Sequence, residues 1–595
     1  MSRPRYLLFA ALVLLAGTTL RAVWLRADPP TVSVGIVWHD EGAWVHNARN
    51  QALWGVWKTD QWNPVYVAPV FTGLEYIAFA TLGVGTWQAR TVPVASGVLS
   101  LMAIMMGLSA LWGSRDAGMG RRIALIGGAV LAFDFTWVMW NRAALMESTM
   151  TAFIVAAWAA YAMGERKPAW GLVAGIAASL AFFTKASAAF FAAALVLDAV
   201  WVITTDRAGS LRAKLGLTRP EESLVQTAWL TLAGLGVTSA FIVLYFVFPY
   251  WDQYRFYNWQ MSVTRKPSYG LGPFVDRASW LPIVHDFFTR MWIVLVGAAL
   301  AIGGIVARWR ESKPGERLLV LWMLVGLLEL VVHDAGNERR YVMFLPALAA
   351  LAAGVAGSGI VWLPAHFARS GWKQRLLAAP LVALLAYLVF GSALRWFFAD
   401  QIQEHHFRLT VRLAAGLAVA LTAGLCAFWP QVTAWFANQR VSLAAAVILA
   451  TVLITWNLGQ YTRWAVSRGE LNYRASVALG IALPPNTVVQ GKLANGMALE
   501  NRIRPVFVGR GFGNYDDRFE RNDAHYILTY GLPSVGYESQ RESGLIQEIL
   551  DRYPNRRIIE KFEIDETPGP DQAWLIEKTP TPISAAASGS NRAPD

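Results

Sequence analysis

Apolar stretches of about 20 residues recur along the first 461 residues of the chain, separated by short polar loops. A helix of that length and composition can cross the hydrocarbon core of a bilayer. The pattern therefore predicts a polytopic α-helical membrane protein. The thirteen predicted spans are residues 5–24, 91–112, 122–140, 145–163, 168–184, 187–205, 226–249, 290–307, 318–333, 341–363, 376–398, 410–429 and 441–461.

One further apolar segment, residues 65–85, interrupts this pattern because it contains Pro69, Glu75 and several glycines. We interpret it as an interfacial helix that lies along the membrane surface. The choice matters, since one extra crossing would reverse the orientation of every later segment.

The distribution of positive charge tests that topology. With a cytoplasmic N-terminus, the predicted inner loops contain Arg115, Arg121, Arg122, Arg166, Lys167, Arg207, Arg212, Lys214, Arg219, Arg308, Arg310, Lys313, Arg317, Arg369, Lys373 and Arg375. Basic inner loops are the usual pattern in membrane proteins. The predicted outer loops are poorer in positive charge, although residues 250–289 do contain four basic side chains. For a prokaryotic source, we expect a multi-pass protein of the plasma (inner) membrane.

The C-terminal part of the chain has a different pattern. Short apolar runs at residues 487–491, 504–509, 524–530, 556–564 and 572–578 predict strands, and residues 492–502 and 543–553 predict helices. This alternation favours a small α/β domain over residues 462–578, on the non-cytoplasmic side of the membrane. Residues 579–595 are rich in Pro, Ser and Ala, and they are predicted to be disordered.

Composition narrows the class further. The 595 residues are 55% hydrophobic and include 28 Trp, which excludes an ordinary soluble enzyme. The net charge of +12 comes largely from the short loops, so it reflects membrane topology, and we expect no nucleic-acid partner. The single cysteine, Cys426, excludes an internal disulfide and a thiolate metal site.

Ionisable residues gather at the span ends that this topology places on the outer face. Carboxylates beside a membrane are costly, so such a group indicates function. Carboxylates can activate a hydroxyl or amine, while Lys and Arg can neutralise a departing phosphate. The candidates are Asp40, Glu41, Arg142, Glu147, Lys185, Arg339, Arg340 and Tyr341; His333 and Asp334, which lie on the same face, are expected to be structural.

The order of these motifs resembles the protein O-mannosyltransferase and aminoarabinose-transferase superfamily, membrane glycosyltransferases of the GT-C class (families 39 and 83). In that superfamily an Asp-Glu pair in the first outer loop is followed by an interfacial helix after a Pro, and then by an Ala-Arg that opens the second span. WNRAALMESTM resembles the family's second-loop segment, with Glu147 in the acidic position. FFTKASAAF resembles its Lys-bearing turn, and ERRYVMFLPALAAL its Arg-Tyr signature. The resemblance covers roughly residues 5–360.

The resemblance implies a GT-C-like catalytic domain over residues 1–461 that takes a sugar from a polyprenyl-phosphate donor. The implied reaction is one inverting displacement with Asp40 as general base, and Glu41 and Glu147 orienting the reactants. The substrate-binding residues that we expect are Arg142, Lys185, Arg339, Arg340 and Tyr341, with Lys266 and Tyr269 from the loop 250–274. Mg²⁺ or Mn²⁺ could bind Asp40, Glu41 and Glu147. The resembled branch favours metal independence, so we expect no required metal or other cofactor.

Simpler interpretations remain open for each residue. Asp40 and Glu41 could be solvated loop acids, and Glu147 could pair locally with Arg142. Lys185, Arg339 and Arg340 could flank spans at the headgroups. The aromatic loop 250–274 could cover the active site or form part of an interfacial belt.

Two other classes of function also fit many spans, namely a transporter or lipid flippase without transferase activity, and a scaffold whose outer domain binds a partner. Neither an internal repeat nor a matched pair of broken spans is visible in the sequence, which disfavours a transporter. Protein, lipid and glycan acceptors in the cell envelope all remain open, as does the identity of the sugar.

Overall fold

The structure is a computed structural model of the whole chain. It describes residues 1–30, 36–113, 116–213, 222–259, 271–276, 279–280, 288–333, 341–358, 372–397, 404–431, 439–509, 514–521, 523–531, 548–565 and 571–578.

Helices dominate the first 467 residues. They are α1 Arg3–Ala22, α2 His39–Trp44, α3 His46–Trp54, α4 Pro69–Leu82, α5 Thr86–Ala89, α6 Thr91–Gly113, α7 Ala117–Phe133, α8 Phe135–Trp140, α9 Met146–Gly164, α10 Trp170–Thr184, α11 Ala189–Ala213, α12 Glu222–Ile242, α13 Trp251–Trp259, α14 Gly272–Val275, α15 Phe288–Ala307, α16 Pro314–His333, α17 Leu345–Ser358, α18 Trp372–Phe397, α19 Glu404–Ala427 and α20 Gln439–Ser467. Each of the thirteen segments predicted as spans contains helix.

Five helical segments of the described ranges are long and apolar enough to cross a membrane by length and composition: Arg3–Ala22, Thr86–Gly113, Ala186–Thr205, Ser223–Val247 and Leu409–Ala427. The prediction of a largely helical protein with several apolar helices is thus confirmed. The number of thirteen spans stays a prediction.

Helix α4 has the length expected of an interfacial helix. Its 14 residues begin at Pro69, whose ring suits the first turn, and end at Leu82, which is followed by Gly83 with a positive φ of 85°. At 1.5 Å per residue such a helix is about 21 Å long, shorter than the roughly 30 Å of a hydrocarbon core. Its Glu75 is fully buried.

Small residues allow the helices to pack closely. Helix α6 packs against α7 and α9, α9 packs against α10, and α10 packs against α12. A Cβ added at Gly175 in α10 would overlap the carbonyl oxygen of Thr231 in α12. Such backbone approach is typical of helices packed without a strong hydrophobic drive.

The C-terminal part forms a mixed sheet. Helix α20 continues to Ser467, past the boundary predicted at 461/462. It is followed by α21 Leu471–Ala482, β1 Val488–Gln490, α22 Lys492–Gly496, β2 Arg504–Val506, β3 Tyr526–Tyr530, β4 Arg557–Ile564 and β5 Asp571–Glu577. The strand order is β2-β1-β3-β5-β4, with β1 parallel to β2 and β3, and β5 antiparallel to β3 and β4.

All five segments predicted as strands carry one. The sheet buries Val489, Leu528 and Leu575, together with apolar side chains of α21 and α22. Of the predicted helix 543–553, residues 548–550 are helical, whereas residues 543–547 lie outside the described residues, as does the predicted disordered tail 579–595.

The sheet domain is docked directly onto the first loop of the helical part. A Cβ at Gly42 of α2 would overlap the carbonyl oxygen of Asn495, and one at Gly496 would lie 2.7 Å from the Cα of His39. The fully buried guanidinium of Arg49 donates to the carbonyls of Ala498, Asn501 and Ile503 at 2.9–3.0 Å. Backbone therefore meets backbone at this interface, and glycine is required on both sides.

Candidate active site

The Asp-Glu pair lies in the first turn of the short helix α2, where the helix dipole favours negative charge. Adjacent residues of a helix point in different directions, and here the two side chains have different environments. The Asp40 side chain is 22% exposed, whereas that of Glu41 is 4% exposed. The pair is thus divided into an accessible carboxylate and a buried one.

Glu41 is held by Arg90, which precedes α6. Arg90 Nε lies 2.8 Å from Glu41 Oε1, and Arg90 Nη2 lies 2.6 Å from Oε2. The backbone N–H of Ala144 also donates to Glu41 Oε1, at 2.7 Å. A bidentate Arg–carboxylate pair fixes geometry as well as charge. Glu41 therefore ties α2 to α6 and to the loop after α8.

The remaining donor group of Arg90 is also occupied. Its Nη1 donates to the carbonyls of Leu25 and Ala27, at 2.8 and 2.7 Å, in the segment between α1 and α2. Sequence reasoning included Arg90 only as the Ala-Arg that opens the second span, and did not place it in the site. That motif was the signal that could have identified it.

Glu147 and Lys185 form a second buried pair. Glu147 lies in the first turn of α9, and Lys185 follows the last residue of α10. Lys185 Nζ is 2.5 Å from Glu147 Oε1, and the side chains are 14% and 2% exposed, respectively. The structure thus brings together two candidates that are 38 residues apart. Glu147 lies three residues after Ala144, whose N–H donates to Glu41, so the two buried pairs are close along the chain.

Arg142 has a different environment from the one expected. Its Nη1 donates to the carbonyls of Leu20, Arg21 and Val23, and its Nη2 donates to that of Trp24, all at 2.6–3.0 Å. The guanidinium also lies 4.8 Å from the centre of the Trp464 ring. Arg142 therefore binds the carbonyls at the C-terminal end of α1, and Glu147 forms an ion pair with Lys185.

Tyr341 is buried, with 2% exposure, and immediately precedes a 3-10 turn, Val342–Phe344, that packs against α9. The remaining candidates Arg339, Arg340, Lys266 and Tyr269 lie outside the described residues.

An aromatic cluster connects the described start of the loop 250–274 to the first loop. Tyr257 of α13 stacks on Tyr66 with ring centres 5.8 Å apart, and its hydroxyl donates to the carbonyl of Gln61. Trp62 contacts Tyr257 edge-on and packs 4.9 Å from Phe507 of the sheet domain. Burial raises the pKa of Tyr257 to about 12, so its phenol is neutral. The described part of this loop is therefore docked onto the first loop.

Part of the chain matches a known protein family. Residues 67–251 match the family model of dolichyl-phosphate-mannose-protein mannosyltransferases. The matched segment contains Arg90, Arg142, Glu147 and Lys185, and it begins after Asp40 and Glu41. The predicted resemblance to the protein O-mannosyltransferase superfamily is confirmed over this segment. No curated protein matches the chain.

Several solved structures are similar, among them the following three. ArnT from Cupriavidus metallidurans bound to undecaprenyl phosphate is 17% identical, with a TM-score of 0.49 over 99% of this chain and 100% of that one. Oligosaccharyltransferase AglB from Archaeoglobus fulgidus is 12% identical, with a TM-score of 0.42 over 88% and 69%. The S. cerevisiae protein O-mannosyltransferase Pmt1-Pmt2 complex bound to the sugar donor is 19% identical, with a TM-score of 0.32 over 43% and 35%.

Proposed function

We propose that this glycosyltransferase moves a sugar from a polyprenyl-phosphate carrier to an acceptor at the outer face of the plasma membrane, with inversion at the anomeric carbon. The observation that carries the proposal is the unequal environment of the Asp-Glu pair. Arg90 and Ala144 occupy both oxygens of Glu41, while the Asp40 carboxylate keeps an accessible surface.

Asp40 is the general base of the proposed reaction. A hydroxyl or amine of the acceptor attacks the anomeric carbon and transfers its proton to the Asp40 carboxylate. The bond from that carbon to the phosphate oxygen breaks, and the lipid phosphate leaves with the electron pair. Because the phosphate is already a stable anion, no acid has to protonate it.

Glu41 and Glu147 act by positioning. Glu41 fixes α2 against α6, which determines where the adjacent Asp40 points. Glu147 holds the ammonium of Lys185 in a buried place, where a cation can stabilise the phosphate charge that develops in the transition state. Arg339 and Arg340 are proposed as further phosphate ligands, since guanidinium groups suit bidentate contact.

The proposed reaction requires no metal ion. Glu41 and Glu147 were two of the three carboxylates considered as ligands, and each is neutralised by an Arg or Lys of the chain. The cations that would stabilise the leaving phosphate are side chains. A transporter or flippase without transferase activity gains no support from these contacts.

Substitution of Asp40 tests the proposal. In proteoliposomes with a radiolabelled polyprenyl-phosphate sugar, Asp40→Asn should lower the transfer rate by about 100-fold or more, since loss of a general base typically has that effect. Asp252→Asn is a matched control, because Asp252 is an exposed acid in the first turn of another short helix, α13. Full transfer by Asp40→Asn would contradict the role of Asp40.

The sugar and the acceptor can be identified together. Mass spectrometry of envelope lipids, glycans and glycoproteins, with and without the gene, should show one sugar of defined mass missing from one acceptor class. An unchanged envelope, combined with no transfer by the purified protein, would count against the proposed activity.

A further inference from the structure

His39 lies between Asp40 and the sheet domain. Its imidazole is fully buried, and Nδ1 lies 3.2 Å from the hydroxyl of Tyr530. On the opposite side of the ring, Nε2 lies 3.5 Å from Asp40 Oδ1. The Tyr530 ring meets the imidazole edge-on, with centres 6.4 Å apart. A tyrosine, a histidine and the proposed base thus form a continuous row of side chains.

The chemistry of the three groups indicates which ring nitrogen of His39 carries the proton. An ionised carboxylate only accepts hydrogen bonds, so the ring nitrogen that faces Asp40 is best placed when it carries the proton. A neutral imidazole then has an acceptor at Nδ1, and the phenol of Tyr530 can donate to it. Tyr530 therefore favours the tautomer that carries its proton on Nε2, the ring nitrogen that lies 3.5 Å from Asp40 Oδ1.

Tyr530 and His39 are both held in place by the secondary structure around them. Tyr530 is 3% exposed and ends β3, which is paired on one side with β1 and on the other with β5. His39 begins α2, whose backbone is in direct contact with α22 at Gly42 and Gly496. Neither side chain can move without disturbing the interface between the sheet domain and the first loop.

We propose that Tyr530 and His39 are positioning residues of the active site, which hold the Asp40 carboxylate ionised and directed at the acceptor. The C-terminal domain then belongs to the catalytic centre through Tyr530. This inference rests on the proposed function, because it assumes that Asp40 is the base.

His46 provides an internal comparison. Its Nδ1 lies 3.0 Å from Asn495 Nδ2 of the sheet domain, and its Nε2 lies 3.4 Å from Asp60 Oδ1. As with His39, an imidazole lies between the sheet domain and an aspartate, but here Asn50 Nδ2 also lies 3.0 Å from Nε2 and the Asp60 side chain is only 1% exposed. A buried carboxylate of this kind cannot meet an acceptor, so His46 serves the interface, whereas His39 faces an accessible carboxylate.

The test removes one oxygen atom. Tyr530→Phe should lower kcat for sugar transfer on the order of 10-fold, which corresponds to the loss of one hydrogen bond, and leave the donor KM unchanged. Tyr526→Phe is the matched control. Tyr526 lies in the same strand as Tyr530, and its hydroxyl makes no hydrogen bond to a described residue. The control should retain wild-type kcat.

A double mutant separates positioning from general damage. If Tyr530 acts through His39, then Tyr530→Phe added to His39→Gln should lower kcat no further than His39→Gln alone. Additive losses would overturn the inference. So would a wild-type kcat in Tyr530→Phe, a change in KM alone, or a loss equal to the fall in folded protein.

The outcomes also separate this inference from the proposed function. An active Asp40→Asn variant, or a wild-type protein that transfers no sugar, contradicts the function. An inactive Asp40→Asn variant together with a fully active Tyr530→Phe variant overturns only the positioning role.

Discussion

Arg90 binds both carboxylate oxygens of Glu41 although 49 residues separate them in the chain. Both side chains are nearly closed to solvent, at 6% and 4% exposure. In the described part of the first loop, this pair joins α2 to α6 and leaves Asp40 on the accessible side. It therefore gives the two acids different environments, a difference that the sequence did not show.

Breaking this pair should destabilise the protein more than removing it. Arg90→Met and Glu41→Gln each leave one buried group without its partner, which typically costs about 3–5 kcal/mol. The double variant Glu41→Gln/Arg90→Met should regain part of that loss. Thermal unfolding in detergent measures this, and a double variant no more stable than either single one would contradict the expectation.

Arg142 should behave as a structural residue. Arg142→Lys should lower the thermal midpoint, because an ammonium cannot reach all four carbonyls that the guanidinium binds at the end of α1. The donor KM of the remaining folded enzyme should stay at the wild-type value. A raised KM with an unchanged midpoint would instead favour the substrate-binding role expected from the sequence.

Lys185 should affect donor binding through its charge. Lys185→Met should raise the donor KM and lower kcat, because the leaving phosphate loses a cation, whereas Lys185→Arg should retain part of the activity. Lys313→Met is the matched control: Lys313 pairs with Glu165 at 2.8 Å and has the same 14% exposure. Equal kinetic effects of both substitutions would argue against a phosphate role.

Asp28 should make stability depend on pH. Burial raises its pKa from 3.8 to about 6, although the N–H groups of Leu471 and Asn472 at the start of α21 donate to it and oppose the shift. The folded state therefore binds this proton more tightly than the unfolded state does. The contribution of Asp28 is greatest below about pH 4 and is lost as pH rises through about 6.

Asp28→Asn removes that titration. As pH rises from about 4 to 7, the variant should gain stability relative to the wild type, by an amount on the order of 2–3 kcal/mol. Thermal midpoints of both proteins across this range provide the measurement. A difference that does not vary with pH would contradict the expectation.

Chelation should leave transfer intact. Because Arg90 and Lys185 neutralise two of the three candidate ligands, EDTA-treated enzyme should keep its full rate, and added Mg²⁺ or Mn²⁺ should not increase it. Loss of activity that only one metal restores would show a metal requirement.

The sequence was informative where local pattern determines structure. Hydropathy located the helical segments, and short alternating runs located the five strands, because burial of one face is encoded in neighbouring residues. The predicted topology placed Glu147 and Lys185 on the same face among other candidates, and the structure pairs them.

Long-range partners were not predictable in this way. The contact between Arg49 and Ile503 spans 454 residues, and nothing near either residue indicates it. Arg142 is a related case: a conspicuous arginine in a loop predicts a ligand contact, and its partners among the described residues are backbone carbonyls, which carry no sequence signature.

The strand order has a consequence for biosynthesis. Strand β5 lies between β3 and β4, so the strand that ends at Tyr530 gains its second neighbour only after residues 571–577 have been made. A nascent chain can insert its helices and expose Asp40 long before that. If Tyr530 has the role inferred for it, a chain whose last strand is unfinished lacks a fixed partner for His39, and its Asp40 is expected to act more slowly than in the completed protein.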